Sequence, residues 1–398
     1  MGSCEKKRAR EMGDMKRLWV LICVLFTLTQ CKNTIPQPKV TLTIDPSVRY
    51  QTILGWGACT PEVKVPIPLR DQIVDVAVNL LGLTRLRYEP PSGNRSNMRR
   101  WEWLNDDDDP THINWRAFET KALDERVSFW VVPFKRCVEA RGERFNIYVS
   151  PSFFNGGSSG EVPTWLLHNP AEYAEYAISL LMRLKQVHGI IADYYCICNE
   201  AGNDNPFSPQ VVARMIKVLG ARLKIVGLPT RIQFPECINA NTSWRYIQAV
   251  RDDAEVWRYI GAVTYHLYGK NDARPQIRNF AWAKGLPTGQ TEFMRLRIDH
   301  LYDDLTLGGT SYWEIYGLAG PWSRNISIHP CKTTFTISPR LWTLSQVMRY
   351  VRPGAVRIGA TSTDAQLRAL AFMRNDKVTI VLINTKKPYR ARTVTVKN

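Results

Sequence analysis

The chain has 398 residues, 44% hydrophobic and 22% charged, which allows a full folded core and excludes a disordered or fibrous polymer. Its 53 Lys and Arg against 36 Asp and Glu give a formal charge of +17, yet the cations are spread along the chain. With no basic tail and no nucleic-acid motif, a nucleic-acid partner is set aside; the excess suits an acidic polysaccharide, an anionic envelope or simply a basic proteome.

In chain order, residues 1–31 read as a signal segment. Met15-Lys16-Arg17 opens a basic region, Leu18–Thr29 is apolar, and Leu28-Thr29-Gln30-Cys31 closes it. Cys31 resembles a lipoprotein attachment cysteine, although Gln30 departs from the usual small residue, so a lipid anchor stands beside simple cleavage. The apolar stretch is too short for the roughly 20 residues of a membrane span. A secreted, periplasmic or cell-surface location is therefore expected, and a monomer.

Residues 32–50 are a linker and a strand, Lys39–Ile44, whose side chains alternate. From 51 to 352, strand and helix signals alternate with no repeat or low-complexity linker, the signature of a parallel α/β fold. The expected strands are Thr52–Gly57, Leu83–Tyr88, Arg144–Ser150, Ile190–Cys198, Arg231–Phe234, Gly261–His266, Leu286–Thr291 and Gly309–Tyr316. Helices are expected over Leu69–Leu81, Asp124–Arg141, from Asn169-Pro170 to about His188, after Ser208-Pro209, and over Pro339–Val351; the two proline pairs combine an N-cap with Pro at the first helical position. Eight such units fit a (β/α)8 TIM barrel. From 353 to 398, the strands Ala355–Ile358, Leu367–Arg374, Lys377–Ile383 and Arg392–Val396 predict a small antiparallel β-sandwich shared with the N-terminal strand and open to completion, since Asn398 directly follows a strand.

Six cysteines follow Cys31: Cys59, Cys137, Cys196, Cys198, Cys237 and Cys331. Spacing does not give a connectivity. Cys196 and Cys198 face one side of a strand at a spacing wrong for a zinc ribbon, so buried free thiols are expected there.

Glu200 and Glu292 each stand at the carboxyl end of a strand-like run, the face of a barrel where chemistry collects. Two carboxylates so placed suit glycoside cleavage, one protonating the leaving oxygen while the other attacks or activates water. The 13 Trp and 16 Tyr suit a sugar's flat apolar faces, although core packing accounts for most of them.

Four motifs then occur in order: Gln51-Thr52-Ile53-Leu54-Gly55-Trp56-Gly57, Val263-Thr264-Tyr265-His266-Leu267-Tyr268, Gln290-Thr291-Glu292, and Ser345–Ile358 (SQVMRYVRPGAVRI). Over roughly residues 39–398 the chain resembles glycoside hydrolase family 30, of the retaining clan A. That resemblance implies Glu200 as acid/base and Glu292 as nucleophile. It implies Asn199 on the sugar 2-hydroxyl, Arg87 paired with the nucleophile, His266 and Tyr268 lining the site and bonding the nucleophile, and Trp313 as the aromatic floor of the sugar subsite. Retention predicts carboxyl groups about 5–5.5 Å apart. Glu200 should have a raised pKa and Glu292 should stay ionised. The substrate implied is a β-linked oligo- or polysaccharide such as β-1,6-glucan or galactan, or a glycolipid; a glucuronoxylanase and a non-catalytic carbohydrate-binding barrel are the alternatives. No cofactor or metal is expected.

Some residues carry a second reading. Arg87 has a possible structural counter-ion in Glu89, His266 could be a core histidine and Trp313 barrel packing. Glu236 is left outside the catalytic set. Asp106–Asp109 reads as a solvated acidic loop rather than a calcium site. The stretch Ser150–Asn155 and its Gly/Ser run depart from the family's third-strand pattern. Sequons stand at Asn94, Asn241 and Asn325.

Overall fold

The computed structural model describes residues 39–90, 92, 100–102, 104–153, 160–321, 323–385 and 393–397. The leader with Cys31, the Asn94 sequon and the Gly/Ser run at 154–159 lie outside them. Among the described residues, no helix is long and apolar enough to cross a membrane.

A 14-residue strand, β1 (Lys39–Thr52), leads into a closed barrel of eight parallel strands. These are β2 (Gly55–Cys59), β3 (Arg85–Tyr88), β4 (Asn146–Val149), β5 (Tyr194–Cys196), β6 (Arg231–Cys237), β7 (Ile260–His266), β8 (Thr288–Glu292) and β9 (Thr310–Ile315). Closure is between β2 and β9, with Trp56 opposite Trp313. All eight expected strands are present: the second, third, fourth and eighth are trimmed, the first and seventh are shifted towards their carboxyl ends, the sixth starts one residue earlier, and the fifth runs on to Cys237. The fourth shrinks most: Ile190 to Asp193 stay outside the ladder, and Ile197 to Glu200 leave it and turn across the barrel mouth.

Alternation along the strands sorts side chains between barrel interior and helix layer. Inside, the Arg85 guanidinium lies 4.1 Å from the Tyr312 ring and donates to Glu314 at 3.0 Å, while Tyr194 and Tyr312 stack at 6.2 Å. This layer floors the mouth. Outward-facing Trp56 donates to the Val351 carbonyl at 2.6 Å.

The two helices marked by a cap and a proline begin where the sequence places them. Asn169 accepts from the Ala171 amide at 3.1 Å, Pro170 opens the helix Pro170–His188, and Gly189 closes it at φ 62°. Ser208 caps Pro209–Ile225 through the Val211 amide at 3.3 Å. The expected helix Leu69–Leu81 runs from Ile67 to Asp75 and passes into a π-helical turn over Val76–Leu80. The expected helix Asp124–Arg141 starts earlier, at Thr120, and ends at Ala140 with a π-helical turn inside it.

After β9 comes an excursion the sequence does not announce: β10 (Ala319–Gly320), β11 (Ile326–Ile328) and β12 (Phe335–Ile337) form a small sheet. The chain ends in β13 (Val356–Ser362), β14 (Leu367–Arg374), β15 (Lys377–Asn384) and β16 (Thr393–Lys397). The flanking sheet does draw on both chain ends, in the order β15-β14-β13-β1-β16. Among the described residues this flanking β domain is a five-stranded mixed sheet, antiparallel except where β16 pairs with β1 in parallel, Lys39 opposite Thr393. Val40, Leu42, Leu367 and Ala369 form its apolar seam. The six described cysteines are free thiols, with Cys196 and Cys198 buried as expected.

Candidate active site

The ends of β3, β7 and β8, and the turns after β5 and β6, converge at the barrel mouth. Arg87 comes from the inward face of β3 and is fully buried. Its guanidinium grips Glu292 at the end of β8, donates to Glu89 at 2.8 Å, and reaches the Asn199 amide oxygen. Burial opposes its charge, yet Glu89 and the other anions around it raise its pKa well above the usual value. Tyr268 donates to the other oxygen of Glu292 at 3.0 Å. Both Glu292 oxygens therefore accept from fixed donors, which hold the carboxyl group in one orientation.

Glu200 sits on the turn after β5. Its amide donates to the Glu236 carbonyl at 3.0 Å, and the Asn199 amide donates to Pro151 at 2.8 Å, so neighbouring loops fix this turn. Glu200 and Glu236 adopt φ of 51° and 56°, a conformation that costs a non-glycine residue about 1–2 kcal/mol. His266, at the end of β7, stands 2.9 Å from Glu200 through Nδ1, 3.5 Å from Glu236 through Nε2, and 3.8 Å from Glu292. Asn203 donates to Glu200's second oxygen at 2.7 Å. Oxygens of Glu200 and Glu292, with a ring nitrogen of His266, lie within 4.8 Å of one another.

The structure departs from expectation on the protonation of Glu200. Burial does push its carboxyl up, but the hydrogen bond and charge of His266 outweigh it and hold the pKa below the usual value. Burial also opposes a charged imidazole, yet Glu292, Glu200 and Glu236 raise His266 to about 9. The resting proton therefore sits on His266. His266 itself departs in part, since its close hydrogen bond goes to Glu200 rather than to Glu292.

Trp313 requires a correction. Its neighbours Tyr312 and Glu314 face the barrel interior, so strand alternation turns Trp313 outward. It is fully buried in the helix layer and donates to Asp304 at 2.7 Å. It is barrel packing, not a subsite floor. The other expected residues, Glu200, Glu292, Arg87, Asn199, His266 and Tyr268, come together at one mouth.

Glu236 belongs beside them. It accepts from Gln233 at 2.6 Å and Ser150 at 3.2 Å, and lies 3.8 Å from Arg87. Glu89 is more than a remote counter-ion: burial pushes it up to about 7 against the pull of Arg87. Its signal in the sequence is its spacing of two from Arg87, which puts both on one side of the strand end. Next to it opens a cavity of about 450 Å³ lined by Cys59, Thr60, Glu89, Met294, Tyr316 and Arg324.

No protein-family model matches the chain. Solved structures do. An endo-β-1,6-glucanase superposes with a TM-score of 0.68 at 19% identity, over 89% of this chain and 88% of that one. The catalytic domain of a family 30 xylanase C from Talaromyces cellulolyticus gives 0.66 at 19%, covering 86% of each chain. SrfJ from Salmonella typhimurium gives 0.67 at 15%, over 90% and 87%. At such identities the likeness speaks for the fold: a TIM barrel with a flanking β-sheet. The fold is of the glycoside hydrolase family 30 type.

Proposed function

We propose that this chain is a retaining O-glycoside hydrolase acting on a β-linked glycan. Glu292 attacks the anomeric carbon and forms a glycosyl ester; Glu200 delivers a proton to the departing oxygen and then activates water as base. Asn199 takes the 2-hydroxyl, while Arg87 and Tyr268 hold Glu292 in orientation. The observation that carries this reading is the approach of the Glu200 and Glu292 oxygens to within 4.8 Å across the mouth. An inverting pair needs about 6.5–9.5 Å to admit water between the carboxyl groups, and a retaining pair about 5–5.5 Å. The substrate proposed is a β-1,6-glucan, a β-1,6-galactan or a related polysaccharide, met outside the cytoplasm as the leader-like segment suggests. A xylan is the second reading, supported by the likeness to a xylanase.

The test is an activity screen over β-linked polysaccharides and aryl β-glycosides, with the product anomer followed by NMR. Retained configuration, and loss of turnover by at least about 10³-fold in Glu292→Gln, are the expected results. An inverted first product sinks the double displacement. No activity in the unmutated protein over the whole panel moves the reading to a carbohydrate-binding barrel.

A further inference from the structure

A second acidic group lies behind the mouth, where the loop after β3 meets the helix Pro170–His188. One carboxylate oxygen from each of Asp106, Glu172 and Glu175 lies within 4.8 Å of the other two. Glu172 and Glu175 are three residues apart and so share a helix face. Glu175 is only 1% exposed, and among the described residues neither of its carboxylate oxygens has a hydrogen-bond partner. One oxygen of Glu172 and one of Glu102, itself 1% exposed, are likewise unpartnered, as is the amide oxygen of Asn105. Asp106, by contrast, is aimed: it accepts from the Asp107 and Asn114 amides at 2.9 and 2.6 Å. The expectation of a solvated acidic loop thus fails for Asp106, which turns inward to meet two acids from a distant part of the sequence.

Buried carboxylates without donors cost several kcal/mol each, and only protons or a cation relieve them. Burial and mutual repulsion push Glu175 up to about 8 and Glu102 up to about 9. Among the described residues Arg222 is a cation that lowers Glu175, and its guanidinium donates to the Pro110 carbonyl at 2.9 Å.

We propose that Asp106, Glu172 and Glu175, with the oxygens of Asn105 and Glu102 beside them, bind a divalent cation of the calcium type. The donors named are all hard oxygens, with no sulfur or imidazole among them. Calcium takes oxygen ligands at about 2.3–2.6 Å, so two ligands of one ion are at most roughly 5 Å apart, and the observed spacing meets that limit. Magnesium, at about 2.1 Å and with a strict octahedron, needs a tighter set. The ion would tie the loop after β3 to the Pro170–His188 helix. That loop starts at Glu89, the partner of Arg87, so the site would brace one wall of the mouth from behind.

The experiment uses the full chain stripped with EDTA, titrated calorimetrically with calcium chloride, with magnesium chloride as comparison and thermal melts in parallel. One calcium per chain is expected, with a Kd between roughly 10⁻⁶ and 10⁻³ M and a higher Tm when bound. Glu175→Gln and Asp106→Asn should each weaken binding at least tenfold and lose the Tm rise. Stripped Glu175→Gln should melt no lower than the stripped parent, because it removes a buried carboxyl group that has no hydrogen-bond partner among the described residues. If that variant does not fold, Glu172→Gln replaces it under the same criteria. Two results overturn the site: neither heat nor a Tm change at calcium on the order of 10 mM, above the weakest such sites, or a folded Glu175→Gln that binds as the parent does. Neither readout depends on glycoside turnover.

Discussion

At the scale of single residues, the proton of the barrel mouth is shared between His266 and Glu200. His266 is raised to about 9 and Glu200 is held below its usual value, so the pair carries one proton over a wide range and titrates as a unit. If that proton is the one delivered to the leaving oxygen, activity should fall as pH rises through the upper value. His266→Ala removes the strongest group that lowers Glu200 and leaves burial, which raises it, against the weaker pull of Asn203 and Arg87. The lone carboxyl should then lose its proton below about 9, and the basic limb of kcat/KM should move to lower pH. A pH profile of the two proteins decides it, and an unmoved limb would mean that His266 serves structure alone. Tyr268 makes a separate prediction. Its hydroxyl donates to Glu292 at 3.0 Å, and a hydrogen bond to a charged group is worth about 1.5–3 kcal/mol. Tyr268→Phe should therefore lower kcat/KM by roughly 10–150-fold, and a change under twofold would remove this bond from the mechanism.

At the scale of elements, the barrel is held open for its side chains by small residues. Gly289 on β8 faces Tyr312 so closely that an added Cβ would stand 2.2 Å from the ring. That ring carries Arg85 and stacks on Tyr194, so it cannot withdraw without disturbing the layer below the site. Gly289→Ala should destabilise the protein by about 1–3 kcal/mol, as overpacking does, and denaturant titration should show it. A strand with Gly in its interior is usually a weak sequence signal; here the residues on either side made it legible. The strands could be read because apolar runs alternate with proline-marked helix starts, and Glu200 and Glu292 because they directly follow such runs. Register could not be read. A motif places Trp313 on a strand but does not say which side it faces, and a one-residue parity error sends a side chain from the mouth to the helix layer. Nor could the sequence show that Asp106 meets Glu172 and Glu175, since only folding brings those segments together. The sheet at β10–β12 was illegible for a simpler reason: its strands of two or three residues carry no period.

At the scale of the molecule, barrel and flanking sheet are joined at one seam. The β1 strand runs almost directly into β2, the Ile53 amide donates to the Ala355 carbonyl at 2.8 Å, and Arg357 donates to Gln51 at 3.1 Å. Beneath this, Arg352 closes the ring. Its guanidinium forms a two-pronged pair with Glu143 at 2.8 and 2.5 Å, and also donates to the carbonyls of Gly82 and Met348 at 2.7 and 2.8 Å. The Arg352 and Glu143 side chains are 11% and 12% exposed, so this pair is closer to buried than to surface. Arg352→Ala leaves Glu143 with Arg141 at 3.4 Å and takes this donor from two carbonyls, and should cost at most about 3 kcal/mol, the low end for breaking a buried pair. Burial would raise Glu143, but Arg352 outweighs it and holds the carboxyl below its usual value. A carboxyl whose folded pKa is depressed adds stability above its unfolded pKa and loses it as pH falls through the folded one. The parent should therefore lose this contribution on acidification, and the stability gap to Arg352→Ala should narrow at low pH. With the seam shared this widely, sheet and barrel should unfold in one cooperative transition in both proteins. Calorimetry at neutral and acid pH tests both points: two separated transitions in the parent would show that the sheet is an independent unit, and a gap constant with pH would show that Glu143 is not what Arg352 holds.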